Sequence, residues 1–263
     1  MVLQVLVEKS VLKAGEPIRG ESSGRVTAVL VVLAASDLPA REVGKYSWSI
    51  VLSYRREFTL GEGSFEIKYP ETLPPTLSCR SIKVRWSLVF GTPRLGGRIL
   101  WPRRELRLKV LPSDSESRLP PSGELELEKL TYQAGEVIRG RFPLKGSAED
   151  YMAGVVVREW LKIDGREYSV EYPLCEGRVL GAGMGAGEVE VKLESDPTKV
   201  EDVYFFYPYT FYSSYGGVEL GVDAKVRVES LEEALEREIV LKPAEPRLAE
   251  RVEEEKRGPL LPI

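Results

Sequence analysis

The chain has 263 residues, of which 43% are hydrophobic and 30% are charged, a balance typical of soluble globular proteins with one large core or two ordinary ones. It contains no histidine and only two cysteines, so the commonest general base is missing and a Cys/His metal cluster is excluded. A membrane-spanning helix needs about 20 apolar residues, and no apolar run in the chain approaches that length. The N-terminus also lacks the pattern of a signal peptide, so the predicted location is the cytoplasm.

The formal net charge of −4 is divided unevenly along the chain. Residues 1–112 contain 18 Lys and Arg against 10 Asp and Glu, whereas residues 113–263 contain 19 against 31. A basic first part favours an anionic partner, although opposite charges could equally help the two parts dock or stay soluble. The absence of asparagine alongside abundant Lys, Arg and Glu is typical of hyperthermophile proteins and predicts an archaeal source.

The first predicted element is a hairpin that the chain repeats. Val5–Glu21 reads VLVEKSVLKAGEPIRGE, Leu125–Arg141 reads LELEKLTYQAGEVIRGR, and eight of these 17 positions are identical. In each copy an opening strand should run to Ala-Gly-Glu, where glycine can supply the positive φ of a tight turn, and Ile-Arg-Gly should begin the returning strand.

The later segments of both halves also have the period of strands. Apolar and polar residues alternate in FEIKY, SIKVRWSLVF and ELRLKVL of the first half, and in EVEVKL and GVDAKVRV of the second. The prediction is an all-β fold of two tandem immunoglobulin-like antiparallel β-sandwich domains. They should occupy residues 1–112 and 124–243, joined by a Pro- and Ser-rich linker at 113–123 and followed by a charged tail at 244–263.

Two further segments concern local structure. Ser230–Glu238, SLEEALERE, opens with a potential cap and an acidic first turn, and it predicts a helix. Gly181–Gly187, GAGMGAG, suggests a nucleotide loop by composition, but the next residues alternate as a strand instead of starting a helix, so a hairpin loop is the better interpretation. The cysteines, Cys79 and Cys175, fall one in each half, and a pair of separate thiols is favoured over a disulfide.

A candidate anionic-partner surface comes from two strands of the first half. Alternation places Lys83 and Arg85 on the solvent face of one strand, and Arg107 and Lys109 on the solvent face of another. If the strands are neighbours, the four side chains form a cationic surface suited to phosphate or carboxylate groups. The alternative is an ordinary solvated sheet face without a partner.

A candidate aromatic interface lies at residues 204–217, YFFYPYTFYSSYGG, where rings occur at both odd and even positions. Both faces of an extended segment would therefore be apolar. One side can fill the second sandwich while the other enters an interdomain or dimer contact, or the rings can form a partner groove or a stacking platform for sugars or bases. The residues concerned are Phe205, Tyr207, Tyr209, Phe211 and Tyr212.

The tail contains a candidate docking segment. Leu248 and Val252 are one turn apart in a predicted short amphipathic helix, and Leu260 and Leu261 belong to the apolar end PLLPI. The segment could dock on its own body or on a partner, and disorder in solution is the alternative.

Two motifs resemble the arrestin family. The opening of the second half resembles the opening of an arrestin domain in its residues Leu127, Glu128, Lys129, Tyr132, Gly135, Glu136, Ile138 and Gly140. LPPTLSCRSIKVRWSL, Leu73–Leu88, is similar to the arrestin-family Leu-Pro-Pro-Ser segment that leads into a strand. With the duplication, the resemblance covers most of residues 1–243.

This resemblance implies an arrestin-like, non-enzymatic scaffold or adaptor in trafficking or signalling. Such proteins bind protein partners, often phosphorylated or acidic segments, or acidic membrane surfaces. It implies no catalytic residue, no cofactor, no metal, no small-molecule substrate and no nucleic acid, and it leaves a homodimer open. The alternative from another class is an extracytoplasmic carbohydrate-binding sandwich or a glycoside-acting enzyme that uses the aromatic segment.

Overall fold

The structure is a computed structural model, and it describes residues 4–45, 47–93, 100–112, 124–183, 185–193, 209–243 and 260–262. The chain divides into two compact units. The first unit comprises Met1–Asp114, Ser213–Val218 and Glu245–Ile263, and the second comprises Ser115–Tyr212 and Glu219–Ala244.

The described elements are almost all strands. The first part of the chain forms β1 (Gln4–Val7), β2 (Val11–Lys13), β3 (Ile18–Ser22), β4 (Val26–Ser36), α1 (Leu38–Glu42), β5 (Ser49–Leu60), β6 (Gly63–Ile67), β7 (Leu77–Ser78), β8 (Ile82–Pro93) and β9 (Leu100–Leu111). The remainder forms β10 (Glu126–Leu127), β11 (Thr131–Gln133), β12 (Val137–Pro143), a 3-10 turn (Ala148–Asp150), β13 (Met152–Ile163), β14 (Arg166–Gly183), β15 (Ala186–Lys192), β16 (Phe211–Tyr215), β17 (Val218–Glu229), β18 (Ala234–Lys242) and β19 (Leu260–Pro262).

The first unit contains two sheets among the residues that the structure describes. One has the strand order β19-β1-β3-β6, and the other has the order β2-β9-β8-β4-β5 with β7 paired to β8. Alternate side chains of both sheets are buried, including Val5 and Ile18 in the first and Leu30, Trp86 and Leu88 in the second. These inward residues form the hydrophobic core of a β-sandwich, and the residues between them face solvent.

The second unit is built on one curled sheet. Its order is β10-β12-β15-β14-β13-β17-β18-β11. The sheet can curl because the long strand β14 has register irregularities against both neighbours, near Val156 and near Gly181. The all-β sandwich prediction is therefore confirmed.

The repeated segment is more complex than the predicted hairpin. β1 and β3 do pair antiparallel, with Val7 opposite Gly20, but the chain between them leaves that sheet. There β2 pairs in parallel with β9 of the other sheet, so that Leu12 stands opposite Val110. The opening strand is thus broken in two and contributes to both layers of the sandwich, which the period-two pattern alone could not indicate.

The identical residues of the repeat have matching structural roles. Gly15 and Gly135 have φ values of +82° and +89°, as predicted for the turn. The following glutamates accept hydrogen bonds from the backbone N–H three residues earlier, from Lys13 to Glu16 Oε2 at 3.0 Å and from Gln133 to Glu136 Oε2 at 2.7 Å. Lys9 and Lys129 form ion pairs with the same two glutamates. The repeated sequence therefore encodes one closed turn, used twice.

The predicted helix at Ser230–Glu238 is wrong, because most of this segment belongs to β18. Ala234, Glu236 and Glu238 are exposed, whereas Leu235 and Arg237 between them are half-buried and Ile239 and Leu241 are buried. The Ser230 side chain does accept hydrogen bonds from the backbone N–H groups of Glu232 and Glu233, but these bonds close a turn instead of starting a helix. Pairing with β17 and burial outweigh the local helix signal.

The one α-helix among the described residues, α1, was not predicted. Its signal is the sequence Asp37-Leu38-Pro39, an acidic residue at the N-cap with proline in the first turn. Arg41 Nε donates to Asp37 Oδ2 at 2.7 Å and ties the helix to its cap. None of the described helices has the length and apolar character needed to cross a membrane.

Candidate binding site

The two predicted cationic strands are neighbours. β8 and β9 pair antiparallel, with Ser87 opposite Arg107 and Trp86 opposite Leu108. Lys83, Arg85 and Arg107 are exposed and Lys109 is half-buried. The predicted cationic surface required these two strands to be adjacent, and they are.

Trp86 fixes the face that β8 presents to solvent. Its side chain is buried, its Nε1 donates to the Pro74 carbonyl oxygen at 2.8 Å, and its ring meets the Tyr69 ring edge-on at a centroid distance of 4.9 Å. Burial also raises the pKa of Tyr69, whose hydroxyl donates to the Lys13 carbonyl oxygen at 3.1 Å. A shift of β8 by one residue would break these contacts, so Lys83 and Arg85 are held outward.

A fifth cation, Arg55, joins this surface from β5. It stands opposite Val31 of β4, which in turn stands opposite Ser87. Arg55 was not predicted, because the sequence does not show which strands are neighbours and β5 lies two strands away from β8. Its signal was the alternation of Ser53 and Arg55 with the buried Leu52 and Tyr54. We define the basic face as Arg55, Lys83, Arg85, Arg107 and Lys109.

The guanidinium groups of the basic face lack protein partners of opposite charge. Within the part of the chain that the structure describes, Arg55, Arg85 and Arg107 form no ion pair, and Lys83 Nζ lies over the Trp48 ring at 4.3 Å from its centroid. The nearest carboxylates of the same sheet face, Glu57 and Glu105, are placed further along it, in the row that contains Val29 and Val89. These three arginines are therefore available to an external anion.

The second unit provides a contrast, because many of its outward cations are paired within the sheet. Lys225 and Arg227 of β17 both contact Glu171 of β14 and Glu236 of β18, at distances of 2.6 to 3.2 Å. The hydrogen bond donated by Lys225 lowers the pKa of Glu171. Burial would raise the pKa of Glu236, but hydrogen bonds from Lys225 and Arg227 outweigh burial and lower it. These cations are already neutralised.

Another paired cluster lies on β12, β14 and β15. Arg178 and Arg139 donate hydrogen bonds to Glu190, and these bonds lower the pKa of its carboxyl group. Arg141 forms a comparable pair with Glu188 at 3.1 Å. An external anion would have to displace a carboxylate at either cluster, whereas Arg55, Arg85 and Arg107 form no ion pair with the described residues that it would have to break.

The aromatic segment is only partly described. Tyr209 and Phe211 are buried, with ring centroids 5.9 Å apart, so they are core residues of the β-sandwich. Tyr212 is 56% exposed, its ring lies 5.9 Å from that of Trp160, and its hydroxyl donates to Glu219 Oε2 at 3.3 Å. Phe205 and Tyr207 lie outside the described residues.

Several other features have no binding geometry in the described residues. Cys79 and Cys175 are not joined in a disulfide. No group of three or more Cys, Asp or Glu side chains there could hold a metal ion. The glycine-rich stretch connects β14 to β15, with Gly183 opposite Ala186, so a strand follows it and the hairpin prediction is confirmed.

Among solved structures, the chain is similar to squid arrestin. The TM-score is 0.53 at 15% sequence identity, and the similarity covers 93% of this chain and 95% of the squid protein. The fold is arrestin-like. The sequence matches no protein-family model and no curated protein. At 15% identity the similarity establishes the fold alone, and the function must be argued from the residues of this chain.

The end of the tail extends one sheet of this arrestin-like chain. β19 pairs antiparallel with β1, so that Leu260 stands opposite Leu6 and Leu261 opposite Val5. Without β19, β1 would be an edge strand with unpaired backbone groups. Leu248 and Val252, the other two residues of the predicted docking segment, lie outside the described residues, as does the predicted tail helix.

Proposed function

We propose that this protein is a non-enzymatic, arrestin-like scaffold or adaptor, and that it binds an anionic partner on the basic face of its first unit. The observation that supports this most directly is the set of exposed arginines on neighbouring strands without carboxylate partners in the described residues. An arginine fork binds phosphate or carboxylate through two parallel hydrogen bonds, and a sheet holds several forks at fixed spacing.

In this proposal the protein acts as an adaptor in trafficking or signalling in the cytoplasm. Its partner is a phosphorylated or acidic protein segment or an acidic membrane. The support is of two kinds. Arrestin-like folds are typically found in non-enzymatic proteins that bind other proteins. The sequence, in addition, contains no recognisable nucleophile motif, and its basic charge is concentrated in the first unit.

The proposal is tested by charge reversal with a matched control. The test variant is Lys83→Glu/Arg85→Glu/Arg107→Glu. The control is Arg25→Glu/Arg166→Glu/Lys192→Glu, which has the same net charge but changes three exposed cations elsewhere. Binding of each is measured to vesicles rich in phosphatidylglycerol and to an immobilised phosphoserine peptide.

The test variant should bind its preferred probe about 100-fold more weakly than the wild type, since each cation near an anionic surface contributes about 1 kcal/mol. The control should lose much less, because long-range repulsion by net charge is screened by salt. Equal losses in the two variants, or unchanged binding of the test variant, would contradict the proposed site.

A second candidate function, carbohydrate binding, is favoured by one observation. The exposed ring of Tyr212 beside Trp160, with the Glu219 carboxylate within hydrogen-bond distance of its hydroxyl, is the combination that sugar-binding surfaces use. Retention on immobilised glycans that is lost in Tyr212→Ala would support it. Wild-type protein that no glycan retains would eliminate it.

A further inference from the structure

Among the described residues of the first unit, the exposed large apolar side chains lie in one place. Val43 is 68% exposed, Trp48 42% and Ile50 64%, and no other large hydrophobic residue among those described in this unit is comparably exposed. All three lie in or beside the connection from β4 to β5, which also contains α1. A cluster of exposed Val, Trp and Ile indicates a contact surface.

This apolar cluster adjoins the basic face. Ala35 of β4 stands opposite Ile50 on one side and opposite Lys83 on the other. The ammonium group of Lys83 is 4.3 Å from the centroid of the Trp48 ring. Ile50, Lys83 and Trp48 are therefore parts of one patch at the end of the sheet, and Arg85 follows two residues further along β8.

The patch continues as an apolar strip between cations. Val31, Leu33 and Ala35 of β4 are only half-buried on this face. Leu33 stands opposite Arg85 in β8, and Val31 stands opposite Arg55 in β5. Cations thus border an aliphatic strip, and the strip ends at the exposed Trp48 and Ile50 side chains.

The charges around the connection leave the patch cationic. Asp37 is held by Arg41, with 2.7 Å between Oδ2 and Nε, and the exposed charges Glu42 and Lys45 are of opposite sign. Lys83 and Arg85 then give the patch a net positive charge. Glu57 and Glu105 lie further from Lys83, in the row next to Arg55 and Arg107, and Glu105 Oε1 accepts a hydrogen bond from Ser87 Oγ at 2.7 Å.

The combination of groups selects one class of partner. An acidic peptide would use the cations, but it would use the exposed Trp and Ile only if it also contained apolar side chains. The interface of an anionic bilayer uses both, because tryptophan and aliphatic groups enter the headgroup region while Lys and Arg meet the phosphates. The stems of Lys83 and Arg85 can also lie along apolar surface with their charged ends in the headgroups.

We propose that this patch is a peripheral membrane contact, in which Trp48 and Ile50 enter the interface of an anionic bilayer while Lys83 and Arg85 bind its phosphate headgroups. The proposal rests on the proposed function, since it assigns the anionic partner of the basic face to a lipid surface. The number of groups involved predicts weak, reversible binding that requires anionic lipid and falls with added salt.

The test uses vesicles of phosphatidylglycerol in phosphatidylcholine, with pure phosphatidylcholine as reference. Binding is measured by sedimentation for the full chain and for Trp48→Ser/Ile50→Ser. The matched control is Met152→Ser/Leu231→Ser, which removes two other exposed apolar side chains, 69% and 106% exposed, from the second unit. Circular dichroism and thermal unfolding show whether each variant is folded.

The Trp48→Ser/Ile50→Ser variant should bind anionic vesicles at least about tenfold more weakly, and the control should bind like the wild type. Bromine-labelled lipids should quench the tryptophan fluorescence of the bound wild type. Trp48→Phe should bind nearly as well but should lose most of this quenching, which would locate Trp48 in the interface.

Each other outcome overturns the inference in a recognisable way. Unchanged vesicle binding by Trp48→Ser/Ile50→Ser, together with loss in Lys83→Glu/Arg85→Glu, would mean that no apolar insertion occurs. Wild-type binding to the phosphoserine peptide but not to anionic vesicles would overturn the membrane contact and leave the proposed anionic-partner function intact. Binding to neither probe would remove the proposed function itself.

Discussion

Gly20 shows why single residues are repeated in the two halves of this chain. A Cβ at Gly20 would lie 2.1 Å from the Leu6 carbonyl oxygen, and one at Gly140 would lie 2.5 Å from the Glu126 carbonyl oxygen. In both places a backbone atom of the paired strand stands where a side chain would begin. Glycine is therefore needed for strand packing, and the repeat reflects structure instead of a binding function.

Gly20→Ala should lower the free energy of unfolding by about 2 kcal/mol, because the added methyl group forces two backbone segments apart. Gly61→Ala is the control, since a Cβ there meets nothing within 4 Å. Chemical denaturation followed by circular dichroism measures both variants. A Gly20→Ala protein as stable as Gly61→Ala would show that β1 and β3 are not as close as described.

The titration of Glu171 gives a second prediction at the scale of residues. The hydrogen bond from Lys225 lowers its pKa below the ordinary 4.5, so the folded state holds its proton less tightly than the unfolded state does. The stabilisation is present above pH 4.5 and is lost as the pH falls through the lowered pKa. Acid should therefore lower the free energy of unfolding of the second unit, because protonation of Glu171 removes this ion pair.

Glu171→Gln should consequently show a smaller drop in melting temperature between pH 6 and pH 3 than the wild type, by a few degrees at most because the pair is partly exposed. Glu62→Gln, an exposed site between β5 and β6, is the comparison. Differential scanning calorimetry at both pH values measures the difference. Identical pH profiles for Glu171→Gln and the wild type would contradict the assigned ion pair.

At the scale of elements, strand alternation was the dependable signal. The inward side chains of β8 and β9 were predicted correctly, because period two survives in any antiparallel strand with one buried face. The sequence could not indicate that β2 changes sheet or that Arg55 joins the basic face, since both depend on which strands are neighbours. The sequence predicted a helix in place of β18 because its glutamates favour helix locally. Tertiary packing, which buries Ile239 and Leu241, makes the segment a strand.

The pairing of β19 with β1 makes a prediction about the tail. Removal of residues 260–263 should expose the outer edge of β1 and accelerate hydrogen exchange in a peptide that covers Gln4–Val7. Exchange in β8, which lies in the other sheet, should change little. Unchanged exchange at β1 in the truncated protein would show that β19 does not pair there in solution.

At the scale of the whole molecule, the two units resemble each other in fold and differ in how their charges are used. Arg178 of β14 and Lys225 and Arg227 of β17 in the second unit are held by carboxylates, whereas the arginines of the basic face lack such partners among the described residues. The sequence predicted the two sandwiches and the cationic strands, but the contrast in ion pairing required coordinates. We infer that the divergence of the two copies, and not their shared residues, determines function.

The most direct test of this account is lysine acetylation followed by mass spectrometry, with and without the anionic probe that the protein binds. The account predicts that the probe slows acetylation of Lys83 several-fold, while Lys68 and Lys192, which are exposed away from the basic face, react at unchanged rates. Unaltered acetylation of Lys83 in the bound protein, or protection of Lys68 or Lys192 instead, would contradict it.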